Sequence, residues 1–337
     1  MLNIGIIGAG RIGKVHAESI TYHVKEAQVA AIADPYMNEA TKEWAQSLGI
    51  PNVYTDYKDI LMDSSIDAVL ICSSTDTHAD IAIEAIKANK HVFCEKPISQ
   101  DLSKIKAVMD VLAGSKVKFQ VGFNRRFDHN FEAVRNAVTD GTIGDVHIVK
   151  VTSRDPDAPP IEYVKVSGGM FLDMTIHDFD MVRYLTASDV IEVYANGTSL
   201  VNRAIKDAGD IDTAIITMKL ANGALAVIDN SRKADYGYDQ RAEVFGSKGQ
   251  VAVTNDSGST AVISTASGVT GEKPLYFFLE RYMASFSKEV SLFVQAIIND
   301  TEVPVNINDG LQPVLIAKAA KKSLDENRPV LLKEIVM

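Results

Sequence analysis

The sequence predicts an α/β protein in two parts, a doubly wound parallel sheet followed by an α+β part with a large, mostly antiparallel open sheet. The length of 337 residues is enough for two domains. In the first part, short apolar runs alternate with helical patterns, which is the order of a doubly wound fold. In the second part, runs that alternate apolar and polar residues are separated by turns, as in antiparallel sheets. We therefore expect domains at residues 1–123 and 124–337.

The first part contains five runs of strand length, mostly rich in Val, Ile and Phe and without polar alternation. Strands buried on both faces of a parallel sheet have this composition. The predicted strands are residues 2–7, 28–33, 68–72, 91–94 and 117–121. Apolar residues three and four apart predict helices at residues 12–23, 38–48, 76–88 and 101–112. Thr75 or Asp76 and Asp101 are candidate N-caps for the last two helices.

The second part begins with a predicted helix at residues 131–139, a strand at 146–153 and a Pro-containing loop at 155–160. A helix is expected near residues 173–185. Further alternating runs follow, separated by turn signals such as Asn222-Gly223. They are residues 190–196, 213–219, 224–231, 240–245, 250–254 and 260–264. Two amphipathic helices, at residues 282–299 and 309–326, close the chain.

Composition and charge exclude several classes of protein. The formal net charge is −10, so no net positive field attracts nucleic acid or an anionic membrane surface. No apolar run reaches the length of about eighteen residues that a membrane span needs, and the first residues lack the pattern of an export signal. Cys72 and Cys94 have neither zinc-site nor disulfide spacing, and we interpret them as reduced, buried residues. We expect a cytoplasmic location.

A glycine-rich turn between the first strand and the first helix predicts dinucleotide binding. Residues 8–13 read Gly-Ala-Gly-Arg-Ile-Gly. Gly8 permits the tight turn, Gly10 lets a diphosphate approach the backbone, and Gly13 lets the helix pack close to the strand. The alternative is a purely structural turn. We expect a Rossmann domain in which the coenzyme contacts Gly8, Gly10, Arg11, Ile12 and Gly13.

Asp34 ends the second predicted strand, 21 positions after Gly13. An acid at this position accepts hydrogen bonds from the ribose hydroxyls and repels a 2′-phosphate. Pro35 and Tyr36 supply no positive charge that would offset this repulsion. The pattern favours NAD over NADP, and the alternative is that Asp34 caps a turn.

Three further residues are candidates for chemistry. Lys96 stands in Glu95-Lys96-Pro97 at the end of the predicted strand 91–94, and the carboxyl ends of parallel strands line the ligand crevice. Asp173 and His177 follow the glycine pair 168–169 and lie four apart, on one face of a helix that would start there. An acid and an imidazole in one site can orient and transfer a proton. The alternatives are a solvated surface lysine, and an N-cap aspartate with a satisfied core histidine.

His177, Asp178 and Asp180 cluster in the sequence and have side chains that can bind a metal ion. Successive residues of a helix point in different directions, and no second histidine group lies at ligand spacing. We expect no metal.

With these motifs in order, the chain resembles the glucose-fructose oxidoreductase and inositol dehydrogenase family over essentially its full length. The segments that carry the resemblance are residues 8–13, 73–78, 90–97 and 168–177. Residues 122–128, 153–156 and 236–241 are similar to the bacterial inositol 2-dehydrogenase branch. Two departures from the family pattern are Ser-Ser-Thr-Asp at 73–76 in place of Thr-Pro, and Phe127 where Tyr is frequent. Neither removes a catalytic group, but the second could alter the preferred sugar or inositol isomer.

The resemblance implies roles at the matched positions. Lys96, Asp173 and His177 correspond to the family's catalytic residues, which we expect to converge beside the nicotinamide, and the Lys96–Pro97 peptide is often cis in relatives. Further coenzyme contacts are expected from Ser73, Ser74, Thr75, His78, Glu95 and Lys96. The polyol is expected to contact Lys96, Arg126, Asp155, Asp173, His177 and an aromatic residue, Tyr236 or Tyr238.

The expected activity is NAD-dependent oxidation of a cyclic polyol in inositol catabolism, with His177 as the general base. Myo-inositol, giving 2-keto-myo-inositol (scyllo-inosose), is the first expectation, and scyllo-inositol or an aldopyranose such as glucose are alternatives. A non-catalytic dinucleotide and sugar sensor is an alternative of a different class. Relatives assemble through the open sheet, so a homotetramer is expected.

Overall fold

The computed structural model describes residues 1–336, and these form two compact units. The first unit comprises residues 1–127 and 283–314, and the second comprises residues 128–282 and 315–336. No helix within residues 1–336 combines the length and the apolar character that crossing a membrane requires.

The elements are numbered in chain order. The strands are β1 (Leu2–Ile7), β2 (Ala27–Ala33), β3 (Asn52–Tyr54), β4 (Ala68–Ile71), β5 (His91–Glu95), β6 (Phe119–Gly122), β7 (Val146–Arg154), β8 (Val190–Thr198), β9 (Thr213–Leu220), β10 (Leu225–Ser231), β11 (Asp239–Gly246), β12 (Gly249–Val253), β13 (Val262–Thr265), β14 (Gly268–Gly271) and β15 (Val330–Leu331). The helices are α1 (Arg11–His23), α2 (Glu39–Ser47), α3 (Lys58–Met62), α4 (His78–Lys87), α5 (Leu102–Leu112), α6 (His129–Thr139), α7 (Ile161–Val164), α8 (Met170–Asp173), α9 (Ile176–Thr186), α10 (Arg203–Asp207), α11 (Phe278–Arg281), α12 (Met283–Ile298) and α13 (Ile307–Glu326).

A six-stranded parallel sheet forms the centre of the first unit. Its strand order is β3-β2-β1-β4-β5-β6, the order of a dinucleotide-binding fold, in which the ligand lies beyond the carboxyl ends of the central strands. Strands β1 and β4 are buried along most or all of their length, which explains their apolar runs. The predicted parallel sheet is confirmed, and it positions the turns after β1, β2, β4 and β5 at one edge.

Two local details of the first unit differ from the sequence prediction. Strand β3 was not predicted, because its three half-buried residues at the sheet edge are too short to give an apolar run. Asp101 caps α5 as expected, since its carboxylate accepts a hydrogen bond from the Ser103 N–H at 2.8 Å. Thr75 and Asp76 do not cap α4 but lie in a 3-10 turn that precedes it.

Helix α12 belongs to the first unit, although it follows β7 to β14 of the second unit along the chain. Val290, Phe293 and Val294 are fully buried in the same core as Ile4 and Phe93. The rings of Phe93 and Phe293 pack edge to face with centroids 5.9 Å apart. Each such side chain contributes roughly 1.5–3 kcal/mol when buried, so a distant segment of the chain completes this core.

A seven-stranded mixed sheet forms the centre of the second unit. Its order is β12-β11-β7-β10-β9-β8-β15, and all pairs are antiparallel except β7 with β10. Burial alternates along β9, so one face of the sheet is covered. On the other face Ile148, Ile215 and Leu225 are 38 to 50% exposed. The predicted mostly antiparallel open sheet is confirmed.

One strand that was predicted for the large sheet lies outside it. The segment predicted at residues 260–264 forms β13, which pairs only with β14 in a separate two-stranded sheet. Both strands are exposed along their whole length. Pairing with the next segment of the chain requires a very short loop, and such closure carries the smallest entropy cost.

Candidate active site

The glycine turn joins β1 to α1 and is shaped by close backbone contacts. Gly8 has a φ of +104°, and a Cβ there would lie 2.6 Å from the Cys72 carbonyl carbon. A Cβ on Gly13 would overlap the Gly8 carbonyl oxygen. In contrast, a Cβ on Gly10 would meet no atom within 4 Å. The open space at Gly10, next to the free N–H groups at the start of α1, fits a diphosphate.

The carboxylate of Asp34 is oriented by two backbone N–H groups. Ala9 donates to its Oδ2 at 2.7 Å and Tyr36 donates to its Oδ1 at 2.8 Å. The hydrogen bond from Tyr36 shows that Asp34 caps the turn that follows β2, which was the alternative interpretation of this residue. The hydrogen bond from Ala9 connects the same carboxylate to the glycine turn. Each carboxylate oxygen can accept a further hydrogen bond, so this geometry fits the diol of an adenosine ribose.

The turns after β4 and β5 are held together by His78. Its ring nitrogens lie 2.9 Å from the Pro97 carbonyl oxygen and 3.0 Å from the Ser73 carbonyl oxygen. The hydroxyls of Ser73 and Thr77 are 2.7 Å apart. Lys96 is half-buried, and its peptide bond to Pro97 is cis, as the resemblance implied. His78, the first residue of α4, thus joins the turn that contains Ser73 to the turn that contains Lys96.

Arg126 lies in the short turn after β6 and is buried. Its Nη2 donates to Asp309 Oδ1 at 3.0 Å, and this pair is largely shielded from water. Asp309 was not recognised in the sequence, because it lies far along the chain at the start of α13. The aspartate fixes one side of the Arg126 guanidinium.

In the second unit, Asp173 and His177 do not lie on one continuous helix. Asp173 is the last residue of α8, and His177 lies in the first turn of α9. Between them Thr175 is fully buried and donates its hydroxyl to Asn230 Oδ1 at 2.6 Å. This tertiary hydrogen bond accompanies the break, and the prediction of a single helix starting at Asp173 is wrong.

Both carboxylate oxygens of Asp173 accept hydrogen bonds from side chains. The Tyr163 hydroxyl donates to Oδ1 at 2.7 Å and Arg232 Nη1 donates to Oδ2 at 3.0 Å. Arg232 is only 2% exposed and follows the carboxyl end of β10. The two hydrogen bonds restrict the orientation of the Asp173 carboxylate.

The neighbouring acid Asp178 belongs to a buried hydrogen-bond network. Asn230 donates from Nδ2 to Asp178 Oδ2 at 2.9 Å, while its Oδ1 accepts from Thr175. Asn230 therefore links β10 to α9 and fixes the start of the helix that carries His177.

The two tyrosines that are candidates for polyol contact, Tyr236 and Tyr238, have different surroundings. The Tyr236 hydroxyl donates to Asp239 Oδ2 at 2.6 Å and accepts from Arg154 Nη1 at 3.1 Å. Burial, followed by the hydrogen bond to Asp239, raises the pKa of Tyr236. Tyr238 is buried and packs edge to face against Phe277 and Tyr282.

Asp155 follows β7 directly. Its N–H donates to the Ser231 carbonyl oxygen at 2.9 Å, so β7 and β10 remain paired up to the loop that carries it. Asp155 and Arg232 thus both follow carboxyl ends of the only parallel pair in this sheet.

Comparison with known proteins identifies the family. Residues 2–123 match the model of an oxidoreductase family with an NAD-binding Rossmann fold, and residues 131–252 match the GFO/IDH/MocA C-terminal domain. The chain belongs to the GFO/IDH/MocA oxidoreductase family. The predictions of the family, of its fold and of NAD as coenzyme are confirmed.

Three relatives are similar to this chain over nearly its whole length. The chain is 50% identical to an uncharacterized oxidoreductase of Bacillus subtilis (strain 168), with 97% of this chain and 95% of the relative covered. It is 46% identical to the myo-inositol 2-dehydrogenase of Thermotoga maritima, over 99% of this chain and 100% of the relative. A Lactobacillus casei scyllo-inositol dehydrogenase, solved with NAD(H) and scyllo-inositol, is 32% identical with a TM-score of 0.91, and 99% of each chain is covered.

Four side chains of this GFO/IDH/MocA chain that support candidate residues were not recognised from the sequence. They are Tyr163, Asn230, Arg232 and Asp309. Their residue types are common at protein surfaces, and no spacing relates them to the residues that they contact. One feature of the sequence could have identified two of them. Asn230 and Arg232 lie at the carboxyl end of the predicted strand 224–231, and functional side chains are frequent at strand ends.

Proposed function

We propose that this oxidoreductase oxidises a ring hydroxyl of a cyclic polyol to a ketone, with myo-inositol as the first substrate and 2-keto-myo-inositol (scyllo-inosose) as the product. The structural observation that supports this proposal is the Asp173 carboxylate, fixed by Tyr163 and Arg232 four residues before His177. The relatives named as inositol dehydrogenases support the substrate class.

The protein has to remove a proton while hydride leaves the carbinol carbon. Bound NAD supplies the hydride acceptor at C4 of its nicotinamide. His177 accepts the hydroxyl proton, because an imidazole titrates near neutral pH. Asp173 orients this imidazole or accepts a hydrogen bond from a neighbouring substrate hydroxyl.

Lys96 acts on the reacting oxygen in this proposal. Its ammonium donates a hydrogen bond to the oxygen and stabilises the negative charge that develops as the proton leaves. Its positive charge also favours the neutral form of the nearby base. The products are a ketone, NADH and one proton.

The remaining polar side chains select the polyol. Arg126, Asp155 and the hydroxyl of Tyr236 or Tyr238 supply donors and acceptors for ring hydroxyls, and a substrate that fails to pair with a buried group is disfavoured. Scyllo-inositol is the second candidate substrate, supported by the relative that binds it. An aldopyranose such as glucose is the third.

We assign the coenzyme to residues 1–123 and the polyol, with the subunit contacts, to residues 124–337. The glycine turn, Asp34, Ser73, Ser74, Thr75, His78, Glu95 and Lys96 are the proposed coenzyme contacts. A homotetramer in the cytoplasm, acting in inositol catabolism, completes the proposal. The exposed apolar side chains on one face of the second unit's sheet support the assembly.

A panel of cyclitols and pyranoses, assayed with NAD and NADP by NADH or NADPH absorbance, tests the proposal. We expect the highest kcat/KM for myo-inositol with NAD. His177→Ala should lower kcat by about 10² to 10⁴ while NAD binding is retained. His23→Ala, on an exposed histidine at the end of α1, is the control and should leave kcat unchanged.

Two results would contradict the proposal. Unchanged turnover in His177→Ala would remove the general base assignment. If the protein binds NAD but reduces it with none of these polyols, the sensor alternative replaces the enzyme.

A further inference from the structure

Three titratable side chains meet inside the first unit, and the proposed reaction uses only one of them. They are His16 on α1, Glu95 at the end of β5 and Glu289 on α12. One nitrogen or oxygen atom from each lies within 4.8 Å of the others. His16 and Glu289 are 0% exposed, and the Glu95 side chain is 12% exposed.

The Glu95 carboxylate is held in a defined place. His16 Nε2 lies 2.6 Å from its Oε1. On another side is Gly122, where an added Cβ would lie only 3.0 Å from Oε2, so the glycine leaves room for the carboxylate. The residue that follows Glu95 is Lys96, so a backbone displacement at Glu95 also displaces the start of that lysine.

Glu289 reaches this cluster from a helix that returns late in the chain. Gln120 Nε2 donates to the Glu289 carbonyl oxygen at 2.9 Å, which anchors this turn of α12 against β6. Both side-chain oxygens of Glu289 are buried, and neither has a hydrogen-bond partner among residues 1–336. The charged group that influences its ionisation is Glu95, and Glu289 in turn acts on the nearby buried thiol of Cys72.

Two carboxylates this close, in a site that excludes water, cannot both be ionised. Glu95 has the His16 imidazole as a hydrogen-bond partner, whereas no group among residues 1–336 donates a hydrogen bond to the Glu289 carboxyl group. Burial, and then the charge of Glu95, raise the pKa of Glu289 well above 4.5. The proton therefore stays on Glu289.

A metal ion would require a different arrangement of these atoms. Two ligand atoms at about 2.1 Å from one divalent ion are separated by about 3 Å or more at ordinary coordination angles. The 2.6 Å between His16 Nε2 and Glu95 Oε1 is instead the length of a charge-assisted hydrogen bond.

We propose that Glu289 is a positioning residue that carries a proton in the folded protein. Its neutral, polar carboxyl group lies near the Glu95 carboxylate without a hydrogen bond to it and does not repel it, and together with His16 it favours the place of Glu95 next to Lys96. The positioning role rests on the proposed function of Lys96. The protonated state of Glu289 does not depend on that function.

Infrared spectroscopy of the full-length protein tests the protonated state without any substrate. The wild type should show a carbonyl stretching band of a protonated carboxyl group at neutral pH, and Glu289→Gln should lack it. Glu302→Gln, on an exposed acid in the loop after α12, is the control and should retain the band. A wild type without the band would overturn the proposal, as would a bound metal ion, found by elemental analysis, that Glu289→Gln loses.

Kinetics with whichever polyol is oxidised tests the positioning role. Glu289→Gln preserves the size and neutrality of the side chain and should retain the wild-type kcat. Glu289→Met removes the polar group and should lower kcat by about tenfold to a hundredfold, because small displacements of a catalytic group have effects of this size. KM for the polyol should change much less.

The outcomes separate the two proposals. Wild-type kcat in Glu289→Met, or an equal loss of kcat in the Gln and Met variants at unchanged thermal stability, would overturn the positioning role. If no polyol is oxidised but the infrared band is present and is lost in Glu289→Gln, the proposed function fails and the protonated glutamic acid stands.

Discussion

Asp173 shows how a single side chain depends on others that are distant in the sequence. Its two oxygens are engaged by Tyr163 and by Arg232, and the Arg232 side chain is among the largest that are fully buried. Two such hydrogen bonds hold the carboxylate in one orientation. Removing one partner leaves the other charge buried and uncompensated, which is strongly destabilising.

Arg232→Met should therefore reduce both stability and turnover. We expect the free energy of unfolding to fall by about 3–5 kcal/mol, and kcat/KM for the polyol to fall by about tenfold or more because Asp173 is no longer held. NAD affinity should be unchanged. Urea denaturation, steady-state kinetics and calorimetric NAD titration measure the three quantities.

Two further variants make this prediction specific. Lys233→Met removes the next basic residue, whose ion pair with Asp157 is exposed, and should change stability little. In an Asp173→Asn background, Arg232→Met should cost less than in the wild type, because the two residues act as a pair. Additive effects of the two substitutions would show that they act independently.

In the connection from β1 to α1, one glycine is needed for packing, and another leaves the space that we assign to the coenzyme. Gly13 is required because α1 packs directly on the turn, whereas Gly10 faces open space. Two glycines of one motif therefore serve different purposes.

Gly13→Ala should destabilise the protein by about 1–3 kcal/mol or more, because the new Cβ overlaps backbone atoms that cannot move away. Gly10→Ala is the matched variant. It should keep the stability within about 0.5 kcal/mol and weaken NAD binding, because its methyl group occupies the space assigned to the diphosphate. Chemical denaturation and NAD titration distinguish the two, and wild-type NAD affinity in Gly10→Ala would remove the diphosphate from this position.

The C-terminal strand β15 is held at the sheet edge by Glu334. This carboxylate accepts hydrogen bonds from Arg328 Nη2 at 2.6 Å, from the Leu331 N–H at 2.9 Å and from Lys322 Nζ at 3.2 Å. Arg328, then the Leu331 N–H and Lys322, lower the pKa of Glu334 far below its ordinary value of 4.5.

The contribution of Glu334 to the stability of the folded protein should decrease as the pH is lowered. Because its pKa is lower in the folded state, the contribution is present above pH 4.5 and is lost as the pH falls below that value. Glu334→Gln should therefore have a lower melting temperature than the wild type at neutral pH, and the difference should shrink on acidification. A difference that stays constant with pH would show that Glu334 acts through packing.

At the scale of the whole molecule, the sequence shows a net charge of −10 and the structure shows an apolar sheet face in the second unit. The negative net charge makes copies of the chain repel one another, so their association requires a specific apolar surface. Ile148, Ile215 and Leu225 lie on neighbouring strands and provide such a surface.

Ile215→Lys should dissociate the proposed homotetramer into smaller species, because the new charge would be buried without a partner. Native mass spectrometry and light scattering measure the assembly. Tyr22→Lys, on an exposed aromatic residue of α1, is the control and should leave the assembly unchanged. A tetramer that persists in Ile215→Lys would place the subunit contacts on another surface.

The sequence alone determined the parallel and antiparallel sheets, the glycine turn and the acid at residue 34. These features follow from local periodicity and from short spacings, because the conformation that a residue prefers depends on its near neighbours in the sequence. The family motifs likewise lie within short segments, so they were recognised without coordinates.

Only the tertiary structure decided which distant residues meet. The break before α9 reflects the bond of Thr175 to Asn230, the core of the first unit is completed by Phe293, and Glu289 is brought beside Glu95 by the return of α12. Each of these contacts joins segments far apart in the chain, and its free energy comes from burial and pairing that exist only after folding. No local pattern encodes such a contact.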